Sequence, residues 1–584
     1  MKRREFLHVA GFFVVSAATT GGGCGDDDEG PLTDGGGPDG GGDGPFRFPQ
    51  GLASGDPSPS SVVLWTRVVR DAGGDLPVEV SLQVATDDAF ADVIVDMLLS
   101  ATTDSDFTVR VLVNDLDPAT TYYYRFVAGA ESIDGRTRTA PLPDADVPVN
   151  FAWVSCQDYA AGHYGAYRQL IEDDEARAEA DRIQFIVHLG DFIYETVAAQ
   201  FQTAIDETFT PIDLLNADGS PREVPAFPSG GGNPNGDVHF AESVDDYRHL
   251  YKHFLTDPDL QAARARWPFI TIWDDHEFSN DCWQSQGNYD NELTTDEPSQ
   301  TRKLAANQAW FEFIPCHLSG APGVTGVPSE AKDFEPTTVS DAEFTEPNAD
   351  NFVDAENNAA AVGSITIYRS LRFGQHLELV LTDERSYRSD HAIPEEMAQD
   401  DPVFFDPRNV VPKVLVNEFD PGATAHDGNP LETVLGQYDN PRIASPPGTM
   451  LGAAQKAWWK ATMQGSDATW KVWGNEVTLL RFDIRKEAVP TLIVDRLLGV
   501  DTWDGYPTER RELLEFLRTE GIENVVSIAG DIHAHFAGII LDDYDGVAPN
   551  PVGFELVTAG ISSNSMFSFF EAASRGQPAA LRRL

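Results

Sequence analysis

Four short pieces of the chain carry side chains that hold metal ions or move protons. They are Ser155-Cys156-Gln157, Gly190-Asp191-Phe192-Ile193-Tyr194, Asp274-Asp275-His276-Glu277 and Gly530-Asp531-Ile532-His533-Ala534-His535. Thiol, imidazole and carboxylate side chains are among the groups that bind metal ions. A carboxylate between two ions can serve both, because each of its oxygens accepts one. Dispersed ligands of this kind describe a binuclear hydrolase, in which two ions about 3.5–4 Å apart clamp the attacking and leaving oxygens. An anionic substrate at such a site would also call for a guanidinium fork. Arg385, in the run Asp383-Glu384-Arg385-Ser386-Tyr387-Arg388, and Arg168, after Cys156, are the candidates. Pairing with neighbouring acid is the alternative for both.

Each piece follows an apolar run of strand length. Runs at 151–154, 185–189 and 269–273 lead to Ser155-Cys156, Gly190-Asp191 and Asp274-Asp275. Later runs at 377–382, 470–473 and 524–529 lead to Asp383, Gly474-Asn475 and Gly530-Asp531. Helical patterns at 164–171 and around Tyr247, Leu250, Tyr251 and Phe254 lie between them. Strands alternating with helices indicate a layered α/β domain, and sites form just past the strand ends of such sheets. This domain is expected over 147–584. Polar stretches at 198–240, 285–300 and 320–362 read as loop insertions around it. Residues 46–146 instead show short alternating strands, expected to form a small all-β sandwich serving as a spacer or lid.

Ahead of these lies an address. Lys2-Arg3-Arg4-Glu5-Phe6-Leu7 and the apolar stretch that follows have the layout of a twin-arginine export signal over 1–23. Cys24 is a candidate lipid-bearing residue for membrane attachment, and the Gly- and Asp-rich residues 24–45 read as a flexible tether. Export through the twin-arginine machinery to the periplasm or cell surface, as a monomer, is the expectation. The 584 residues contain 41 Lys plus Arg against 94 Asp plus Glu, a net charge of −53. Such a chain is a poor stable partner for nucleic acid, whose binding needs a basic surface. It can still bind a small phosphoester if bound cations reverse the local field.

These pieces, with Gly51 to Pro57, Leu64 to Arg67, Asp383 to Arg388, Met450 to Gly452 and Asp501 to Arg510, stand in the order of a known family. The sequence resembles the PhoD-like alkaline phosphatases and phosphodiesterases, a branch of the calcineurin-like metallophosphoesterases, over roughly residues 46–570. The resemblance implies an α/β fold, a four-layer metallophosphoesterase-like β-sandwich flanked by helices, preceded by a small fibronectin III-like domain. It implies a ferric ion (Fe3+) held by Cys156, Asp191 and Tyr194, with Ca2+ beside it on Asp275, Asn475 and Asp531. Cys156 stands where the wider superfamily has Asp-x-His, and Asp274-Asp275-His276-Glu277 where it has Gly-Asn-His-Glu. His276 would sit near the leaving group, and His533 would serve as a ligand or move a proton. The implied activity is metal-dependent hydrolysis of small phosphoesters, monoesters and diesters among them. The alternatives are a phosphodiesterase or phospholipase of the same fold, or a non-catalytic surface binding protein. Cys282 and Cys316 are an expected disulfide, given oxidising conditions and Cα atoms within about 7 Å.

Overall fold

Alternation builds the first sheet. Val78–Ala85 and Thr121–Ala128 bury every second residue and pair antiparallel, with Leu82 opposite Phe126 and Val84 opposite Tyr124. Val93–Ala101 and Glu131–Arg138 complete four strands. The inward side chains, among them Val80, Leu82 and Phe126, pack on Leu64, Val109 and Val113 from Val62–Arg67 and Thr108–Asn114. One dry and one wet face per strand is what a period of two dictates. The computed structural model describes residues 12–16 and 45–568, apart from 198, 200–201, 207–209, 233–237, 288–296, 319–331, 343–346, 350, 354–355, 399–406, 488–491 and 567. Cys24, the tether up to residue 44 and the leader apart from 12–16 therefore lie outside the described residues.

The second sheet of this sandwich continues into the α/β region. Leu52–Gly55 pairs antiparallel with Val62–Arg67 on one side and parallel with Pro268–Ile272 on the other, Ser54 opposite Pro268. Phe185–Leu189 and Phe151–Val154 follow in parallel, and Phe12–Ser16 lies parallel to Thr108–Asn114 at the far edge. This corrects the expectation of a spacer: the sandwich is built into the sheet that carries Asp191 and Asp275. Its seam is buried and polar. Trp65 Nε1 donates to the Glu312 carbonyl at 2.7 Å, Arg110 donates to the carbonyls of Phe311 and Cys316, and buried Arg369 pairs with Asp56 at 2.8 Å. Gly55 lies in the seam, where a Cβ would overlap the Pro315 carbonyl oxygen and stand 2.7 Å from that of Phe269. Gly55→Ala is expected to cost about 1–3 kcal/mol, read as a lower denaturant midpoint at unchanged slope; an unshifted midpoint would refute the tight seam.

A six-stranded sheet faces this one. Its order is Arg369–Phe373, Leu377–Leu381, Trp470–Gly474, Val525–Ala529, Pro551–Val557 and Phe536–Leu541, with the four central strands parallel. Ile186 and Leu189 of one sheet share a core with Leu379, Leu381, Val472 and Ile528 of the other, and Phe185 stacks on Phe373 at 4.2 Å. Buried on both faces, these strands read as apolar runs rather than alternations.

Helices cover the outside. Val244–Phe254 starts at a capping box, Ser243 with Asp246, and buries Tyr247, Leu250, Tyr251 and Phe254 along one stripe. Gln300–Phe313 packs beside it and separates two cysteines. Cys282 lies near Lys303 in the first turn of that helix, and Cys316 lies beyond its end against Arg110. Ten residues of helix span about 15 Å. The expected Cys282–Cys316 disulfide is thus corrected: both are free, buried thiols. Among the described residues no helix is long and apolar enough to cross a membrane.

Candidate metal centre

The strand ends deliver the quoted side chains to one place. Cys156 and Asp191 follow neighbouring parallel strands, and Asp275 follows the next one. Asp531 follows a strand of the facing sheet. The ligand-capable atoms of Cys156, Asp191 and His533 lie within 4.8 Å of one another, as do those of Asp191, Asp275 and His276, and those of Asp274, Asp275 and Asp531. Tyr194 joins them, its hydroxyl 3.2 Å from Asp191 Oδ2 and 3.1 Å from His533 Nε2. Cys156, Asp191, Tyr194, Asp275 and Asp531 thus form one continuous cluster, against the reading of an incomplete, non-catalytic site.

Local backbone aims these groups. Cys156, Asp191, Asp531 and His533 all adopt left-handed φ, at 56°, 54°, 63° and 50°. That region costs a non-glycine residue roughly 1–3 kcal/mol and persists only where the surroundings enforce it. Glu277 supplies part of the enforcement. Its carboxylate accepts the backbone N–H groups of Asp191 at 3.1 Å, Phe192 at 2.5 Å and Asp274 at 2.8 Å, fastening two strand ends together. Ser563 closes the other side, 2.6 Å from the Tyr194 hydroxyl and donating to the Cys156 carbonyl at 2.8 Å.

The electrostatics call for cations. Burial first, then Asp191, Asp531 and Asp274, push the Cys156 thiol well up. Burial with neighbouring carboxylates does the same to Asp191 and Asp531, and Asp274 is pushed up to about 6. Buried Asp191 Oδ1 and Asp274 Oδ2 lack a hydrogen-bond partner among the described groups. A metal ion would supply the positive charge that these donors otherwise take from protons. The donors fit: a thiol, a phenol and a carboxylate for a charged transition metal, and carboxylates alone for calcium.

Two counter-charges are built in. His276 Nδ1 lies 2.6 Å from Glu195 Oε2. Burial opposes its charge, but Glu195, Asp275 and Asp191 outweigh burial and hold the imidazole well above its usual range. Arg385 is wholly buried. Its Nε meets Asp274 at 2.5 Å and one terminal nitrogen meets Asp501 at 2.6 Å. The other terminal nitrogen is 3.8 Å from both Asp275 and Asp531.

Three expectations change. Arg385 is committed to carboxylates rather than offered to a phosphate. Arg168 lies outside the cluster, 64% exposed on the helix Gly165–Glu175 and 3.6 Å from Asp259, because its position is on the solvent face of that helix. Asn475 is spent on scaffolding: its Oδ1 accepts Trp503 Nε1 at 2.9 Å and its Nδ2 donates to the Val477 carbonyl. His535 is exposed.

Four groups were missed. Asp281 and Asp501 form a further carboxylate group with Asp275. Glu195 directly follows Tyr194, and Asp281 lies six residues past Asp275, so proximity to a motif could have flagged both. Asp501 opens Asp-Thr-Trp-Asp-Gly-Tyr, a run that stands in the family order but carried no expected site residue. Ser563 lies in a plain polar turn and carried no signal.

The chain matches the PhoD-like phosphatase family over residues 151–581, and that family's N-terminal domain over residues 41–141. Alkaline phosphatase D of Bacillus subtilis (strain 168) is 27% identical over 532 residues, covering 89% of this chain and 70% of that protein. The solved structure of PhoD superposes with a TM-score of 0.61 at 25% identity, covering 88% of this chain and 77% of its own.

Proposed function

The chain belongs to the PhoD-like phosphatase family, and from that premise we propose that it hydrolyses small phosphomonoesters with bound metal ions at the Cys156–Asp191–Asp275 cluster. The observation that carries this is the convergence of a thiol, a phenol and several buried carboxylates at the ends of two facing sheets. In this reading Cys156, Asp191 and Tyr194 would hold Fe3+, and Asp275 and Asp531 would hold Ca2+ beside it. When bound, such ions activate an oxygen nucleophile and neutralise charge on the phosphoryl oxygens. In this reading the two facing sheets with their outer helices correspond to the four-layer sandwich of the calcineurin-like metallophosphoesterases.

The chain's own residues do the rest. Glu195 holds His276 Nδ1, which leaves the other ring nitrogen to carry the proton for the leaving oxygen, on an imidazole grouped with Asp191 and Asp275. Arg385 keeps Asp274 and Asp501 charged and in place. Asp531 at 22% exposure and His533 at 13% are the solvent-reached edge of the cluster, where substrate enters. The acidic surface repels long polyanions and favours small substrates. Twin-arginine export to the periplasm or cell surface, with a lipid on Cys24 and a monomeric state, completes the proposal from Arg3-Arg4 and the tether.

A paired assay tests it: a chromogenic monoester and a diester offered to folded protein whose metals have been quantified. Monoester turnover is expected to exceed diester turnover; the reverse order assigns a diesterase of the same fold. Chelation is expected to abolish both activities, with Fe3+ and Ca2+ together restoring them. Undiminished activity in metal-free protein would defeat the metal-dependent reading.

A further inference from the structure

The helix Val244–Phe254 carries two histidines one turn apart, His249 and His253, neither of which belongs to the groups around Cys156 and Asp275. Helix residues four apart share a face, and these rings stand with centroids 4.4 Å apart, both half-buried. Each ring has one nitrogen pinned. His249 Nε2 donates to the Pro225 carbonyl at 2.9 Å, and His253 Nδ1 donates to the His249 carbonyl at 3.1 Å. A carbonyl oxygen can only accept, so the neutral tautomers are fixed, with lone pairs on His249 Nδ1 and His253 Nε2. A nitrogen pair so prepared is the usual state of metal-binding imidazoles, whose second nitrogen is oriented by a carbonyl or carboxylate.

The surroundings agree. An ion bonded at about 2.0–2.1 Å to each nitrogen holds the two about 3–4 Å apart, within reach of rings at this separation. Burial lowers the pKa of both imidazoles and outweighs the carbonyl hydrogen bond that each ring makes. Lys252 lowers both further, the neighbouring His249 lowers His253, and Asp246 opposes on the His249 side, so the neutral, coordinating form is favoured near pH 7. The Lys252 charge is met by Asp106 at 3.0 Å. Asp245, one turn before His249, is exposed and pairs with Arg248 at 3.2 Å. A chain of net charge −53 also enriches cations around it.

We propose that His249 and His253 bind one transition-metal cation of the kind imidazole favours, Cu2+, Ni2+ or Zn2+, as a bidentate site separate from the catalytic centre. Solvent fills the remaining positions. The site lies where the helix meets the insertion, since His249 donates to Pro225 and packs edge-on against Phe227 at 6.1 Å between centroids.

The test is titration of the full chain, loaded with its catalytic metals, with Cu2+ followed by electron paramagnetic resonance. One added Cu2+ per chain with two-nitrogen hyperfine structure is expected. His253→Gln keeps the Pro225 hydrogen bond and should weaken that equivalent by more than about tenfold. The double variant His249→Gln, His253→Gln should remove it, with phosphatase activity unchanged in both. Absence of any added equivalent, or equal affinity in the double variant, overturns the assignment.

Discussion

Asp191→Asn lowers turnover by about a thousandfold or more and leaves the fold intact. The substitution keeps size and shape but removes a charge that the proposed metal site relies on, and a bound metal contributes several kcal/mol to such a transition state. The backbone N–H of residue 191 still reaches Glu277, so the strand end stays where it is. In metal-free protein the change removes one of several mutually repelling buried carboxylates, since burial, Asp275, Asp274 and Glu277 all work against the Asp191 charge. The metal-free variant is therefore expected to melt no lower than metal-free wild type, while elemental analysis shows reduced metal content. Retained turnover would refute the two-metal reading; lost activity with a collapsed circular dichroism spectrum would place Asp191 in the scaffold instead.

Arg385→Gln is expected to cost about 3–5 kcal/mol, because it removes the one guanidinium that lies within 4 Å of Asp274, Asp275, Asp501 and Asp531 together and leaves Asp274 without its ion pair. Asp274 loses its 2.5 Å contact, and Asp501 keeps only Arg388 and His391. The loss should be larger in metal-free than in metal-loaded protein, because bound cations partly replace the missing charge. Arg385→Lys restores charge without the planar fork and should recover only part of the stability. Melting curves of the variants with and without metals measure both effects. Equal losses in the two states would show that Arg385 does not share its carboxylates with the metal positions.

The placement of Cys156, Asp191, Asp275 and Asp531 was legible because it is local. An apolar run followed at once by a turn and a polar side chain marks a strand end, whatever the strand pairs with. Tyr194 came within reach for the same reason, three residues past Asp191. Pairing between distant segments was not legible. Nothing near Arg385 in the chain says that Asp274 and Asp501 will surround it, and nothing near Asn475 says that Trp503 will take its amide oxygen. Arg168 was misplaced because its orientation depends on the helix packing through Tyr167 and Asp174. The Cys282–Cys316 pairing failed on a helix length that spacing alone does not weigh. The all-β character of residues 46–146 was visible in their alternation, but the strand pairing that joins them to the α/β sheet, Ser54 with Pro268 and Gly55 with Phe269, links segments far apart in the chain.

Those two pairs set a clock on biosynthesis. Hairpins such as the one joining Thr121–Ala128 to Glu131–Arg138 close in microseconds, soon after they emerge. Leu52–Gly55 must instead wait for Pro268, and at about 5–20 residues per second that wait is on the order of tens of seconds. Throughout it the strand offers one unpaired edge of backbone donors and acceptors, the template on which chains join wrongly. The nascent chain is thus most exposed to misassembly when its first domain is already made and its last strands are not.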